Sequence, residues 1–100
     1  MLEVVLRPRA EADLAEIAQY TISEWGEAQA KRYIENLRRT IEAVADYPGM
    51  GGQAMGLPSE YRKVLSGSRR AIYRYTKTEL IVVRVIHGSQ DVPDDFEDFW

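Results

Sequence analysis

Cysteine is absent from this chain of 100 residues. A disulfide framework and a thiolate metal site are therefore excluded, and the absence fits a reducing compartment. Histidine occurs once, as His87, so a metal site built from several histidines is excluded as well. The acidic residues do not follow the spacing of an EF-hand loop. We therefore expect no metal and no cofactor.

Long apolar runs are also missing, since no stretch approaches the roughly 20 residues that a membrane-spanning helix needs. The opening residues, MLEVVLRPRA, lack the basic segment followed by an apolar segment that marks a signal peptide. These absences predict a cytoplasmic protein with no membrane partner. The length predicts a single domain over residues 1–100, with a modest core.

Charge is sorted along the chain, although the formal net charge is only −3. Residues 61–90 carry seven basic residues and one acidic residue, whereas residues 91–100 carry five acidic residues and no basic one. A basic block on strands predicts a surface for an anionic partner, either a nucleic acid or an acidic protein segment. Because the whole chain is acidic, direct nucleic-acid binding is not our first expectation.

The first half of the sequence predicts one strand and a helical hairpin. Leu2 to Arg7 is a valine-rich strand candidate, and Pro8 suits the first turn of a helix. That helix is predicted to run to about Trp25 and to end at Gly26. A second helix follows at once and ends at Tyr47-Pro48-Gly49, because proline cannot continue the hydrogen-bond ladder. Such a short connection makes the two helices antiparallel neighbours.

Each predicted helix carries an apolar stripe at spacings of three and four residues. The first stripe consists of Leu14, Ile17, Ala18, Ile22 and Trp25. The second consists of Ala30, Tyr33, Ile34, Leu37, Ile41, Val44 and Ala45. Residues 48–60 are rich in glycine and predict a flexible connector. A phosphate-binding turn is disfavoured there, because no strand leads into the segment and no helix beginning with Lys-Ser/Thr follows it.

The second half of the sequence predicts three strands, at Tyr61–Ser66, Arg69–Thr76 and Leu80–His87. The turns between them are short, which favours a consecutive antiparallel meander. Residues 80–83 are apolar on both faces, which predicts a central strand or one covered on both sides. Arg84 interrupts that run and needs an ion-pair partner or a functional cleft. The predicted fold is α+β, in the order β-α-α-β-β-β, with a helical hairpin packed on an antiparallel sheet.

The residues suited to chemistry have several possible roles. His87 stands at a strand end, where it is either a structural hydrogen-bonding residue or a general acid/base. Asp91 could orient its imidazole or cap the following turn. The basic side chains could stabilise charge on a scissile phosphate or bind an acidic partner; they are Arg62, Lys63, Arg69, Arg74 and Arg84.

Strand alternation divides these cations between two faces of the sheet. It places Arg70 and Arg74 on one face and Arg69 on the other, with Tyr73 and Tyr75. Not all the cations converge, which weakens a catalytic interpretation. Four aromatic residues are predicted to lie in the core or at its edge: Trp25, Tyr33, Tyr73 and Tyr75. The terminal Phe99 and Trp100 either dock on the domain or insert into a partner.

Four stretches in order resemble one known family. They are RPRAEADLAEI, WGEAQAKRYIENLRRTIEAVADYPGMG, YRKVLSGSRRAIYRY and VVRVIHGSQD, and together they cover nearly the whole chain. The set resembles the ParE branch of the RelE/ParE toxins of bacterial type II toxin–antitoxin modules. The resemblance implies the fold predicted above. It further implies a toxin that poisons DNA gyrase without being a nuclease, whereas RelE-type relatives cut mRNA on the ribosome.

The resemblance also suggests site residues and partners. If the chain were a ribonuclease, its catalytic residues would be Arg62, Arg69, Arg84 and His87. However, Gly88 follows His87 where those nucleases have a tyrosine, and their lysine-rich strand is missing, which favours the gyrase-directed branch. Residues expected to bind partners are Trp25, Arg62, Arg69, Arg70, Arg74, Phe96, Phe99 and Trp100.

The partners implied by the resemblance are DNA gyrase and a ParD-like antitoxin. The C-terminal half of such an antitoxin folds onto the toxin, as a helix in a groove or an added strand, in a 2:2 or larger assembly. Two alternatives remain beside the gyrase inhibitor. One is a ribosome-dependent mRNA endonuclease, and the other is an inactive relative that binds antitoxin.

Overall fold

The computed structural model describes residues 1–88. The first half contains one strand and two helices: β1 (Glu3–Leu6), α1 (Pro8–Trp25) and α2 (Glu27–Asp46). A 3₁₀ turn (Pro48–Met50) then leads to four strands: β2 (Gly52–Gln53), β3 (Arg62–Ser66), β4 (Arg69–Tyr75) and β5 (Glu79–His87). The predicted α+β class, the helical hairpin and the meander of β3, β4 and β5 are confirmed.

The sheet is mixed, whereas the sequence predicted an antiparallel one. The strand order is β1-β5-β4-β3-β2, and β1 pairs parallel to β5, with Val4 opposite Leu80. The other three pairings are antiparallel. The direction of β1 was missed because its partner lies at the far end of the sequence, where no turn links the two strands. The two-residue β2 was also missed.

Both helices pack on one face of the sheet. The buried residues Leu37, Ile41 and Val44 of α2 meet Tyr73 of β4 and Leu80 of β5 in one core cluster. Leu37 is 1% exposed, which confirms the stripe predicted for α2. The helical hairpin therefore derives its stability from apolar burial against the sheet more than from intrinsic helix propensity.

The stripe predicted for α1 was wrong at its C-terminal end. Ile22 and Trp25 are 45% and 66% exposed, whereas Ala10, Ile17 and Thr21 are buried. Thr21 was missed because it is polar, but its hydroxyl donates a 2.7 Å hydrogen bond to the Ile17 carbonyl. A threonine whose hydroxyl is satisfied inside its own helix can face the core at little cost.

Residues 48–61 cover the opposite face of the sheet. Ala54 and Tyr61 are buried there against Ile72 and Ile81, and Leu57 packs at the edge of this cluster. The segment is anchored by Tyr73, whose hydroxyl donates to the Pro48 carbonyl at 2.8 Å and accepts from the Gly51 N–H at 3.1 Å. The expectation of a flexible connector is therefore corrected. Residues 80–83 were predicted to lie in a central strand or in one covered on both faces, and β5 is an interior strand whose two faces are both covered.

Candidate partner-binding groove

A groove of about 690 Å³ opens beside the C-terminal half of α1 and the first half of α2, where β4 begins and β5 ends. Three aromatic and three basic side chains dominate its walls: Tyr20, Trp25, Tyr33, Arg32, Arg69 and His87. We name it the aromatic–cationic groove. Its volume lies in the range typical of sites that hold a ligand or part of a partner chain.

The sheet register brings two of the basic residues to this groove. Arg69 is the first residue of β4 and His87 is the last of β5, and the two are directly opposite each other in the antiparallel ladder. Cross-strand neighbours project from the same face of a sheet, here the face that carries the helices. The turn before Arg69 is held near α2 by a 3.2 Å hydrogen bond between the Tyr33 and Ser68 hydroxyls.

The groove is lined by basic side chains and by no acidic side chain of the described residues. The buried Nε of Arg69 has no hydrogen-bond acceptor among residues 1–88. Trp25 and Tyr20 offer apolar surface beside these cations, because they are 66% and 51% exposed. The groove therefore combines exposed aromatic surface with a guanidinium whose Nε has no acceptor among residues 1–88.

A smaller cleft of about 300 Å³ adjoins the groove and shares Arg69 and His87 with it. Arg84 lines this cleft, but its Nε donates to Asp13 Oδ2 at 2.8 Å. The same carboxylate oxygen accepts the Val85 N–H at 2.8 Å. Arg84 and Asp13 are 10% and 11% exposed, so they form a nearly buried ion pair. Arg84 thus has the partner that the sequence required, and it also lines a cleft.

Sequence reasoning missed Asp13, which is separated from Arg84 by 71 residues. One pattern could have identified it. Asp13 lies three residues after Ala10 and four before Ile17, both of which are buried in α1. An acidic residue on the inward stripe of a helix requires a cationic partner from the facing sheet.

The remaining predicted site residues are scattered. Arg70 and Arg74 are paired with Ile86 and Ile81, which belong to the apolar cluster on the face opposite the helices. Arg62 lies on β3, opposite Tyr73 of β4, and does not line the groove or the smaller cleft. Phe96, Phe99 and Trp100, together with Asp91, lie outside the described residues.

The predicted positions of the four aromatic residues are half right. Tyr73 is buried in the core and Tyr33 packs at its edge, as expected. Trp25 and Tyr75 are 66% and 43% exposed, so for them the core prediction was wrong. Trp25 instead lines the aromatic–cationic groove, and its role as a partner-binding residue stays a prediction.

Residues 1–88 contain neither a candidate metal site nor a candidate membrane-spanning helix. This part of the chain contains no cluster of three or more His, Asp or Glu side chains arranged to hold a metal ion. Neither of its two helices has the length and apolar composition required to cross a bilayer.

Comparison with known proteins gives consistent matches. Residues 4–92 match the family described as ParE toxin of the type II toxin–antitoxin system. The chain is 40% identical over 86 residues to Toxin ParE1 of Caulobacter vibrioides, covering 86% of this chain and 88% of that protein. It is 38% identical over 89 residues to Toxin ParE1 of Mycobacterium tuberculosis, covering 88% of this chain and 91% of that protein.

Solved structures share the fold at lower identity. A chromosomal ParDE system from P. aeruginosa superposes with a TM-score of 0.76 at 17% identity, covering 87% of this chain and 96% of that one. The toxin–antitoxin complex RelBE2 of Mycobacterium tuberculosis superposes with a TM-score of 0.57 at 17% identity, covering 86% of this chain and 96% of that one. At these identities the structures support the fold alone.

Proposed function

We propose a function from the premise that this chain belongs to the ParE family of toxins of type II toxin–antitoxin systems. The toxin inhibits DNA gyrase, so that replication stops and growth is arrested. It acts without catalysing a reaction of its own. Because gyrase acts on chromosomal DNA, the toxin acts in the cytoplasm.

The observation that carries this proposal is the ion pair of Arg84. Stabilising the developing charge of a scissile phosphate requires a cation that is directed at the substrate and not already neutralised. The guanidinium of Arg84 is held by Asp13 through two hydrogen bonds, at 2.8 and 3.2 Å. Glu16 adds a further acidic side chain to the wall of the same cleft. These contacts favour inhibition by binding over phosphodiester cleavage.

A ParD-like antitoxin neutralises the toxin in this proposal. Structural neighbours include toxin–antitoxin complexes. A dimeric antitoxin would carry two toxins, which gives an assembly of two antitoxin and two toxin chains or a larger one.

Gyrase inhibition is tested with a supercoiling and DNA-cleavage assay. The purified chain is titrated against gyrase with and without a ParD-like antitoxin. We expect loss of supercoiling and accumulation of linear DNA, both reversed by the antitoxin. Unchanged supercoiling at a large excess of toxin would exclude the gyrase proposal.

A ribosome-dependent mRNA endonuclease is the second candidate, and one specific observation favours it. Arg69, Arg84 and His87 line the same small cleft, which is the convergence that a nuclease would need. Primer extension on mRNA from translating ribosomes tests it. Cleavage that disappears in His87→Ala, while gyrase remains unaffected, would replace the first proposal with this one.

An inactive relative that only binds antitoxin is separated from both by a growth assay. Expression of the chain without antitoxin is expected to stop colony formation, and co-expression of the antitoxin is expected to restore it. Normal growth at a verified level of folded protein would identify the inactive relative.

A further inference from the structure

The face of the sheet opposite the helices carries a second group of basic side chains. Arg70 and Arg74 lie opposite isoleucines of β5 that belong to the apolar cluster on that face. Lys63 of β3 projects from the same face, because it lies opposite Ile72 of the same cluster. All three basic side chains are half-buried. We call these three residues the basic face; it is separate from the aromatic–cationic groove, which lies on the helix side.

The described part of the chain ends beside the basic face. The Gly88 N–H donates to the Ser68 carbonyl at 2.7 Å, so the end of β5 is held against the turn between β3 and β4. A Cβ on Gly88 would lie 3.6 Å from a methyl group of Leu65. Leu65 lies opposite Arg70, on the side of the basic face, and is 62% exposed. The chain beyond Gly88 therefore starts at one end of the basic face.

The sequence that follows is chemically complementary to this face. Residues 91–100 carry five acidic residues and no basic one, and they include Phe96, Phe99 and Trp100. Carboxylates form charge-assisted hydrogen bonds with guanidinium groups, and aromatic rings stack on guanidinium planes. The acidic and the aromatic side chains of this tail can therefore both contact arginine.

The tail is long enough to follow the basic face along β4. Arg70 and Arg74 are four residues apart, which is about 13 Å at the rise of a strand. Twelve residues follow Gly88, and an extended chain of that length spans up to about 40 Å. Asp91 and Asp95 are also four residues apart, so an extended tail could bring one carboxylate to each arginine.

We propose that residues 89–100 bind in cis to the basic face, with carboxylates of the tail on Arg70 and Arg74. Exposed ion pairs are individually weak. A tethered segment, however, meets its surface at an effective concentration on the order of millimolar, so weak contacts are sufficient to hold it. The anionic partner expected for the basic block of the sequence is then the chain's own acidic tail. This inference does not depend on the proposed inhibition of gyrase.

The aromatic–cationic groove is a less suitable place for the tail, although His87, which precedes Gly88, lines it. The smaller cleft on the helix side is lined by the last residues of β5 together with Asp13 and Glu16. An acidic segment that left β5 on that side would pass these two carboxylates and be repelled by them.

Spin labelling of the full-length chain locates the tail. The chain contains no cysteine, so one introduced cysteine carries one nitroxide. Leu65→Cys places the label on the side of the basic face, and Gln29→Cys places it at an exposed position that lines the groove. We expect the amide resonances of residues 91–100 to lose most of their intensity with the first label and little with the second. A loss found only with the Gln29 label would place the tail in the groove and overturn the proposal.

Charge reversal at adjacent residues separates the two faces of the sheet. Arg70→Glu combined with Arg74→Glu should release the tail, so that its resonances recover beside the Leu65 label. Arg69→Glu makes the same kind of charge change on the residue next to Arg70, which lines the groove, and should leave the loss of intensity as it is. Thermal melts check that each variant is folded. Recovery in Arg69→Glu but not in the double variant would contradict the proposal.

The complementary change in the tail alters no residue of the sheet, so it decides the question even if the arginine variant does not fold. Replacing Asp91, Asp94 and Asp95 by lysine should also release the tail. Combining these substitutions with Arg70→Glu and Arg74→Glu makes the charges attractive again and should restore the loss of intensity. A tail that stays close to the Leu65 label after the lysine substitutions would overturn the charge pairing.

Two further results would overturn the proposal. Full tail intensity with both labels would mean that the tail binds neither face. A mixture of spin-labelled chains without isotope and isotope-labelled chains without nitroxide tests for binding between copies. Loss of tail intensity in that mixture would mean that the tail binds a second copy, whereas binding in cis predicts none.

Discussion

Arg84, the cation that interrupts the apolar run of β5, forms a nearly buried ion pair with Asp13. The Arg84 side chain is 10% exposed, and Asp13 provides its carboxylate partner as well as an acceptor for the Val85 N–H. Asp13 therefore links α1 to β5 by hydrogen bonds to the Arg84 side chain and to the Val85 backbone. An Arg84 variant could lose function simply because it no longer folds. Its stability must therefore be measured together with its activity.

Replacing Asp13 by Asn tests this interpretation. The variant keeps the side-chain shape but leaves the Arg84 charge without its counterion in a low-dielectric site. We expect the free energy of unfolding to fall by about 3–5 kcal/mol, as for other broken buried pairs. Urea denaturation measures the loss, and Glu16→Gln, at an exposed position of the same cleft, is the control. A loss below about 1 kcal/mol, which is the value typical of a surface ion pair, would contradict the structural role.

Tyr73 links the stability of the protein to alkaline pH. Burial raises the pKa of its phenol, and the Gly51 N–H and the charge of Arg62 offset this only in part. The unfolded chain therefore ionises first, at about pH 10, while the folded protein retains the proton. Because the folded state then binds more protons, stability falls as the pH rises above that value.

The pH effect is measured by comparing unfolding free energies of wild type and Tyr73→Phe from neutral pH to pH 11, a range set by the ordinary tyrosine pKa of about 10. We expect the decline in stability above about pH 10 to be steeper in the wild type. Tyr47→Phe controls for an exposed tyrosine, since Tyr47 is 75% exposed. Parallel curves for wild type and Tyr73→Phe would show that Tyr73 does not titrate differently in the folded state.

At the scale of elements, the sequence predicted the helices and strands that depend on contacts between residues close together in the chain. The apolar stripe of α2 and the meander of β3, β4 and β5 depend on side-chain period and short turns, and both are confirmed. The parallel pairing of β1 with β5 depends on a contact across most of the chain, which no local pattern encodes. The groove was only partly predictable, because it needs α1, α2 and the sheet together. Trp25 and Arg69 were both predicted to bind partners, which stays a prediction, but that they line the same groove was not predicted.

The segment between α2 and β3 shows why glycine-rich composition was misleading. Gly51 has an ordinary φ of −75°, so it is not required for backbone conformation. A Cβ at this position would lie 2.5 Å from the Lys63 carbonyl oxygen and closer still to the Tyr73 hydroxyl. Glycine is needed because the segment crosses the sheet at close range. A glycine-rich composition suggests a flexible segment, but it does not show that the backbone at Gly51 lies close to Lys63 and Tyr73.

Gly51→Ala should therefore loosen the anchored segment. We expect a loss of about 1–3 kcal/mol in the free energy of unfolding, because the added methyl group must displace the Tyr73 hydroxyl or the β3 backbone. Gly49→Ala is the matched control, since a Cβ there meets no atom within 4 Å. Urea denaturation of both variants provides the measurement. Equal stability of the two would contradict the close approach.

At the scale of the whole molecule, two apolar clusters share the same strands. Tyr73 of β4 and Leu80 of β5 belong to the cluster under the helices, while Ile72 and Ile81, their neighbours in sequence, belong to the cluster under residues 48–61. Alternation along a strand sends successive side chains to opposite faces. Loss of packing on one face would disturb β4 and β5, which also carry the cluster on the other face. We therefore expect the two clusters to unfold as one cooperative unit.

This coupling predicts a single unfolding transition for variants on either face. Leu37→Ala removes packing on the helix side and should cost about 2–5 kcal/mol, because Leu37 is fully buried. Leu57→Ala acts on the other side and should cost less, because Leu57 is only partly buried. In both variants far-ultraviolet circular dichroism and near-ultraviolet circular dichroism of the buried Tyr61 and Tyr73 should give coincident urea transitions, shifted in midpoint with unchanged slope. A separate early transition in Leu57→Ala would instead mean that residues 48–61 unfold independently, and the helix-side core would then be the only cooperative unit.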